Sequence, residues 1–214
     1  MISKRNSKFI NSLHIKKYRN QHKSFSVEGE KNIGEVLNSD FTVQQLFITQ
    51  EAFESIKPLV EANNIPVEIC TISELEKVSF FRSNNFGVAV VDQPIVDEIS
   101  LIEGKQYLAL ENVKDPGNLG TILRCADWYG VTDVICSVHC VDVYNPKVIA
   151  STMGSFLRIR VHYVDLDDFL SNTELPIYGA VLGGEVIHEI NNLAPGILVM
   201  GNESKGMSEE LKQK

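Results

Sequence analysis

Glu111-Asn-Val-Lys-Asp-Pro-Gly-Asn-Leu-Gly-Thr-Ile-Leu-Arg-Cys-Ala126 joins a strand end, a tight polar turn and a helix within sixteen residues. The apolar run Gln106 to Leu110 precedes it, bounded by Gly104, and reads as a buried strand. Asp115-Pro116-Gly117-Asn118 stops that strand, because proline fixes φ and glycine admits backbone angles that other residues avoid. Asn118 is a candidate cap for the next helix, and Asp115 is a candidate for an Asx-turn. Leu119, Ile122, Leu123 and Ala126 then recur at helical spacing as a core-facing stripe, which Gly130 ends. Polar groups at such a strand-to-helix joint sit where open α/β sheets take their ligands.

Working outward, the chain alternates between strand and helix patterns twice over. A basic helix, 7–20, opens the first unit. A short strand at 25–27, a helix at 30–37, a strand at 43–49, a helix at 51–63 and a strand at 67–70 follow. Thr71 with Glu74 forms a capping-box pattern for a helix to about Val78, and 85–91 is the last strand. The alternation predicts a small three-layer α/β domain over 1–91. Residues 92–100 carry Pro94 and acids without periodicity and read as a linker. From 101 to 214 the pattern is again strand, helix, strand: 106–110, 119–129, 131–137, 146–157, 158–164, 166–171, 177–182 and 197–200. These Val/Ile-rich strands fit a parallel sheet covered on both faces.

Composition sets the bounds. The 214 residues are 43% hydrophobic, enough for a packed core. No apolar run reaches the roughly 18 residues of a membrane span, and the polar, basic N-terminus lacks a signal-peptide core. Cys70, Cys125, Cys136 and Cys140 form no CxxC pair and read as free thiols in a cytoplasmic protein. Trp128 and the histidines show no metal spacing, so no metal is expected. The net charge is −8, yet residues 1–27 hold Lys4, Arg5, Lys8, Lys16, Lys17, Arg19 and Lys23 and no acid. Such a basic arm can grip phosphates locally, over a Debye length of about 8–10 Å, or can be a solvated helix face.

Asn112, Asp115, Pro116, Asn118, Gly120 and Arg124 match in order the first motif of the SpoU/TrmH family of RNA 2'-O-ribose methyltransferases, and Leu198-Val-Met-Gly-Asn-Glu-Ser-Lys-Gly206 is similar to the second. The resemblance implies a C-terminal SPOUT-type parallel-sheet domain with a trefoil knot over 101–214. Before it would stand an L30e-like substrate-binding domain, entered through Phe25-Ser-Val-Glu-Gly-Glu30. Family members close with a third motif of the Ser-Leu-Asn type, which this sequence lacks, so the knot and the S-adenosylmethionine (AdoMet) pocket are expected to be incomplete within these 214 residues. The resemblance further implies transfer of a methyl group from AdoMet to a ribose 2'-OH of rRNA or tRNA by a homodimer. A catalytically inactive RNA-binding protein that keeps the fold is the alternative.

Transfer from a sulfonium carbon needs no acid for the leaving group; the protein aligns the partners and helps remove the hydroxyl proton. The resemblance assigns Arg124, Asn118 and Glu203 to catalysis, and Leu182, Gly183, Met200 and Gly201 to the cofactor. RNA contacts fall to Lys4, Arg5, Lys8, Lys16, Lys17 and Arg19. A guanidinium suits a phosphate and charge developing on a nearby oxygen, but it stays protonated, so a phosphate oxygen placed by Arg124 is an alternative proton acceptor. Arg124 could instead lie along its helix and pair with Asp127. Ser151 to Ser155 resembles a family element near the RNA cleft and equally suits close helix packing.

Overall fold

The structure, a computed structural model, describes residues 1–186, 189, 190 and 192–213. It divides into two compact units, residues 1–95 with 142–157, and residues 96–141 with 158–214. The two units part between Ile95 and Val96. Segment 142–157, which strand–helix alternation assigns to the second unit, belongs with the first.

In the first unit, α1 (Lys4–Ser12) and α2 (Lys16–His22) replace the single basic helix expected. β1 (Ser24–Glu28), α3 (Glu30–Leu37), β2 (Val43–Ile48), α4 (Gln50–Ala62), β3 (Val67–Ile69), α5 (Ile72–Leu75) and β4 (Gly87–Asp92) follow. The sheet order is β1-β4-β2-β3, with β4 antiparallel to both β1 and β2. Strand alternation sends side chains to two cores. Phe25, Val27, Leu46, Ile48, Ala89 and Val91 meet the apolar faces of α3 and α4. Phe47, Val88 and Val90 meet Ile10 and Leu13 of the first helix segment and Leu75 of α5. This is the three-layer arrangement the pattern predicts. Segment 142–157 is held here because Ile149 and Phe156 join the first of these cores and Phe25 packs on Tyr144.

The break between α1 and α2 has a visible purpose. It exposes the Leu13 carbonyl to Arg19, whose Nη1 donates to it at 2.8 Å, while Nε and Nη2 donate to Asp142 Oδ2 at 2.9 and 2.6 Å. Arg19 is only 1% exposed. Its charge is neutralised inside the unit, which removes it from the RNA-contact set. Lys4, Arg5, Lys8, Lys16 and Lys17 stay at the surface.

The second unit runs β5 (Tyr107–Leu110), α6 (Pro116–Trp128), β6 (Asp133–Ser137), β7 (Arg160–Val164), α8 (Leu166–Ser171), β8 (Ile177–Ala180), β9 (Ile197–Met200) and α9 (Glu209–Lys212); between β6 and β7 the chain supplies α7 (Pro146–Thr152) to the first unit. The sheet order is β7-β6-β5-β9-β8, every pair parallel. One face buries Tyr107, Ala109, Ile135, Ile197 and Val199 with Leu166 and Leu170 of α8 and Leu211 of α9. The expectation that both faces are covered fails at β9: Leu198 and Met200 are 41% and 38% exposed, because no described element covers them. The chain winds from β5 through β6 to β7 on one side, and β9 and β8 lie on the other. β5 and β9 therefore flank the switch point, where parallel sheets open a crevice at their carboxyl ends.

Candidate active site

Register decides what meets at that crevice. Leu110 pairs with Met200, so the loops that leave β5 and β9 start side by side. The Glu111 N–H donates to the Met200 carbonyl at 2.9 Å, carrying the pairing one residue further. Asn112 turns away with φ +55°, its N–H held by Ser137 Oγ at 3.0 Å. The Glu111 carboxylate is buried and accepts the Ser208 N–H at 2.8 Å, tying the far end of the second loop to the first.

Asp115, rather than Asn118, caps α6: its Oδ1 accepts the Asn118 backbone N–H at 2.9 Å. Pro116 then occupies the first turn, where a missing N–H costs nothing. Because Asp115 does the capping, the Asn118 side chain is released. Its Nδ2 donates to Glu203 Oε1 at 3.2 Å, across 85 residues of sequence.

Glu203 rides a very tight turn. Asn202 and Gly206 exchange both backbone hydrogen bonds at 2.9 Å. Gly201 admits no side chain, since a Cβ there would lie 2.2 Å from the Gly206 carbon and the Met207 nitrogen. Gly206 adopts φ +70°, which favours glycine. Asn202, which the sequence reading did not assign, binds the loops together. Its Nδ2 donates to the Asn112 carbonyl at 2.8 Å and to Glu203 Oε2 at 2.9 Å, and its Oδ1 accepts the N–H groups of Ser204 and Lys205. The available signal was its position between an obligate glycine and the candidate carboxylate.

Partial burial pushes the Glu203 carboxyl upward, but hydrogen bonding wins and holds it below the usual carboxylate range. The donors are its own N–H, the Asn118 amide and the N–H groups of Asp115 and Lys114 at the start of α6, where the helix dipole also favours an anion. Glu203 is therefore ionised at neutral pH, exposed and aimed by two amides.

Arg124 lies six positions beyond Asn118 on α6 and is exposed. The pairing with Asp127 considered from sequence does not form: Arg158 takes Asp127, with Nη2 to Oδ2 at 2.7 Å. Among the described residues Arg124 makes no hydrogen bond or ion pair. The structure thus joins Asn118 to Glu203 and leaves Arg124 with an uncommitted charge on the same helix. Met200 ends β9 and Gly201 follows it; Leu182 and Gly183 follow β8, its neighbour, at the same carboxyl rim. Leu182 is fully exposed and Gly183 has φ +77°. Of Ser151 to Ser155, Gly154 fits the packing reading: a Cβ there would lie 2.9 Å from Glu35 Cγ, and its φ is +98°.

No helix among the described residues is long and apolar enough to cross a membrane. Comparison with known proteins adds a family. The model of the SpoU rRNA Methylase family matches residues 105–214, and that of the MRM3-like substrate binding domain matches residues 5–88. The 23S rRNA (guanosine(2553)-2'-O)-methyltransferase RlmP of Bacillus subtilis is 28% identical over 206 residues, covering 94% of this chain and 81% of that protein. A mitochondrial rRNA methyltransferase 3 from Xenopus tropicalis is 32% identical over 167 aligned residues, covering 74% of this chain and 40% of that longer protein. The AdoMet-bound rRNA methyltransferase from Sinorhizobium meliloti superposes with a TM-score of 0.85 at 27% identity, over 100% of this chain and 85% of that one. With both ordered motifs present and a family model covering more than half of its residues, the chain belongs to the SpoU rRNA methylase family.

Proposed function

We propose that this protein transfers a methyl group from AdoMet to a ribose 2'-OH of ribosomal RNA. The observation that carries the reading is the Asn118–Glu203 contact, which joins the two motif loops at the switch point of a parallel sheet. The named relatives that methylate rRNA, and the AdoMet-bound relative, support the substrate and the cofactor. Intact Asn118, Arg124 and Glu203 argue against the inactive alternative.

The rim of β8 and β9 suits a cofactor with an apolar body and polar ends. Exposed Leu182 and Met200 offer apolar surface, and the side-chain-free Gly183, with nothing within 4 Å of where a Cβ would stand, leaves backbone open to close approach; Gly201 lets the turn that carries Glu203 close beside them. When bound, AdoMet would supply an electrophilic methyl on a sulfonium. Arg124 would bind the RNA phosphate beside the target ribose and stabilise charge developing on the 2'-oxygen. Ionised Glu203, steadied by Asn118 and Asn202, would orient the ribose by accepting a hydroxyl proton in a hydrogen bond. Lys4, Arg5, Lys8, Lys16 and Lys17 would contact the RNA backbone, with affinity that falls as salt rises.

The protein would act in the cytoplasm, in keeping with four free cysteines. It would act as a homodimer, since Trp128 and Tyr129, 86% and 81% exposed at the end of α6, form an apolar surface that a second copy would cover.

Radiolabelled methyl transfer from AdoMet to rRNA, with the product mapped for 2'-O-methyl groups, tests the proposal. Arg124→Ala should lower kcat/KM by about 10²–10³ with the fold unchanged, as for removal of one charge-stabilising donor. Undiminished transfer would take Arg124 out of the chemistry; no transfer by the wild-type protein to any rRNA would refute the assignment.

A further inference from the structure

The first unit holds a cavity of about 560 Å³ at the carboxyl ends of β1 and β2 and the start of β4. Several polar groups of its wall are already bonded. Asn84 donates Nδ2 to the Gly87 carbonyl at 2.9 Å and accepts the N–H groups of Phe86 and Gly87. The Glu28 carboxylate accepts from Ser79, from Asn84 and from the Phe80 N–H. Thr49 donates to the Asn85 carbonyl and accepts the Ala52 N–H. Asn32, in the first turn of α3, lines the same cavity and is 93% buried (7% exposed), yet its Oδ1 has no partner among the described residues. A buried amide oxygen without a donor costs about 1–3 kcal/mol, so a donor from outside the chain is the natural completion.

The rest of the lining states what that donor belongs to. Among the described residues no lysine or arginine lines the cavity, whereas Glu28, Glu30 and Glu51 do, so an anion such as phosphate is disfavoured. Phe81 and Phe86 add aromatic surface, and Ala52 and Met153 add apolar surface. The volume is in the range of small-molecule sites and admits a nucleoside. We propose that this cavity receives one unstacked base of the substrate RNA, a base with an exocyclic amino group, which donates to Asn32 Oδ1. Unpaired bases are read through their hydrogen-bonding edges and through contact with aromatic side chains. A uracil presents a carbonyl where cytosine presents an amine, so in the same pose it brings an acceptor against Asn32 Oδ1 and must shift to offer its N3–H instead. This inference rests on the RNA substrate proposed above.

Cytidine and uridine hexamers, titrated into the full chain by ligand-observed NMR, test it, with free cytidine as a third probe. Both hexamers share the phosphate contribution, so their difference reports the base. The cytidine hexamer should bind about fivefold more tightly, the worth of one neutral hydrogen bond. Asn32→Leu should erase the preference, and Asn32→Asp, which keeps an acceptor, should retain it. Equal affinity for the two hexamers in the wild-type protein overturns the proposal even if Asn32→Leu fails to fold. Binding of free cytidine without preference between the hexamers also overturns it, as a nucleoside site rather than an RNA subsite. Methyl transfer to rRNA is measured on the same samples: transfer without base preference sinks the pocket alone, and base preference without transfer sinks the enzymatic reading alone.

Discussion

Arg19, Glu28 and Asn84 in the first unit are the same three residue types as Arg124, Glu203 and Asn118 in the second. The first set is buried and every charge is spent: Arg19 on Asp142 and the Leu13 carbonyl, Glu28 on Ser79, Phe80 and Asn84. The second set is exposed, and Arg124 has no bonded partner among the described residues. Identical chemistry serves architecture in one unit and faces solvent in the other, and burial with partner supply decides which. Removing a member of the first set should therefore cost stability, and removing a member of the second should cost activity.

Arg19→Ala gives the largest effect and tests the first half of that contrast. It strands Asp142 as a buried, unpaired charge, so unfolding in urea should show a loss of about 3–5 kcal/mol. A loss below about 1 kcal/mol would put Arg19 among the ordinary surface cations. Gly201→Ala probes the turn that presents Glu203. Its Cβ has no room beside Gly206 and Met207. The forced shift should cost about 1–3 kcal/mol in thermal unfolding and lower methyl transfer further than stability alone accounts for. Wild-type values in both assays would mean that the turn is not needed in this form.

The two carboxylates sharpen the contrast in sign. Burial raises the Glu28 carboxyl above its ordinary value, against the bonds from Phe80, Ser79 and Asn84. The folded state then holds the proton longer, and stability falls as pH rises from the ordinary carboxyl value through the raised one. Glu203 is shifted the other way, so its contribution is present above the ordinary value and fades as pH falls through the lowered one. Across urea titrations from pH 3 to pH 8, Glu28→Gln should gain on the wild type as pH rises, and the deficit of Glu203→Gln should vanish in acid. The same slope for both variants would contradict the assignment; exposure keeps the Glu203 effect the smallest of those named here.

Much of this was legible in the sequence, and the residues show where reading stops. Local signals carried the elements: the helix at 30–37, the helix at 166–171 and the strand at 197–200 have the predicted limits, and Thr71 with Glu74 makes the capping box its spacing implies. Parallel pairing of β5 with β9, and with it the meeting of two motifs about eighty residues apart, was legible only through the resemblance. Long-range partners were not legible. Arg19 looked like one more cation of a basic arm because Asp142 lies 123 residues away. The helix at 146–157 reads as part of the second unit because nothing local marks Tyr144, Ile149 and Phe156 as a patch for Phe25. Asn118 reads as a cap because Asn and Asp compete for that position, and only the geometry gives it to Asp115. Asn202 carries no local signal beyond its position between Gly201 and Glu203: its four partners are backbone and carboxylate groups from two loops, and no spacing rule encodes them.

One candidate site built from two loops predicts coupling. A double-mutant cycle on Asn118→Ala and Glu203→Ala, read as kcat/KM for methyl transfer to rRNA, measures it directly. If the Asn118–Glu203 contact acts as a unit, the double variant should be scarcely worse than the poorer single variant, leaving a coupling of about 0.5–3 kcal/mol. Losses that add in full would mean that the two side chains act independently, and the single shared site would be wrong.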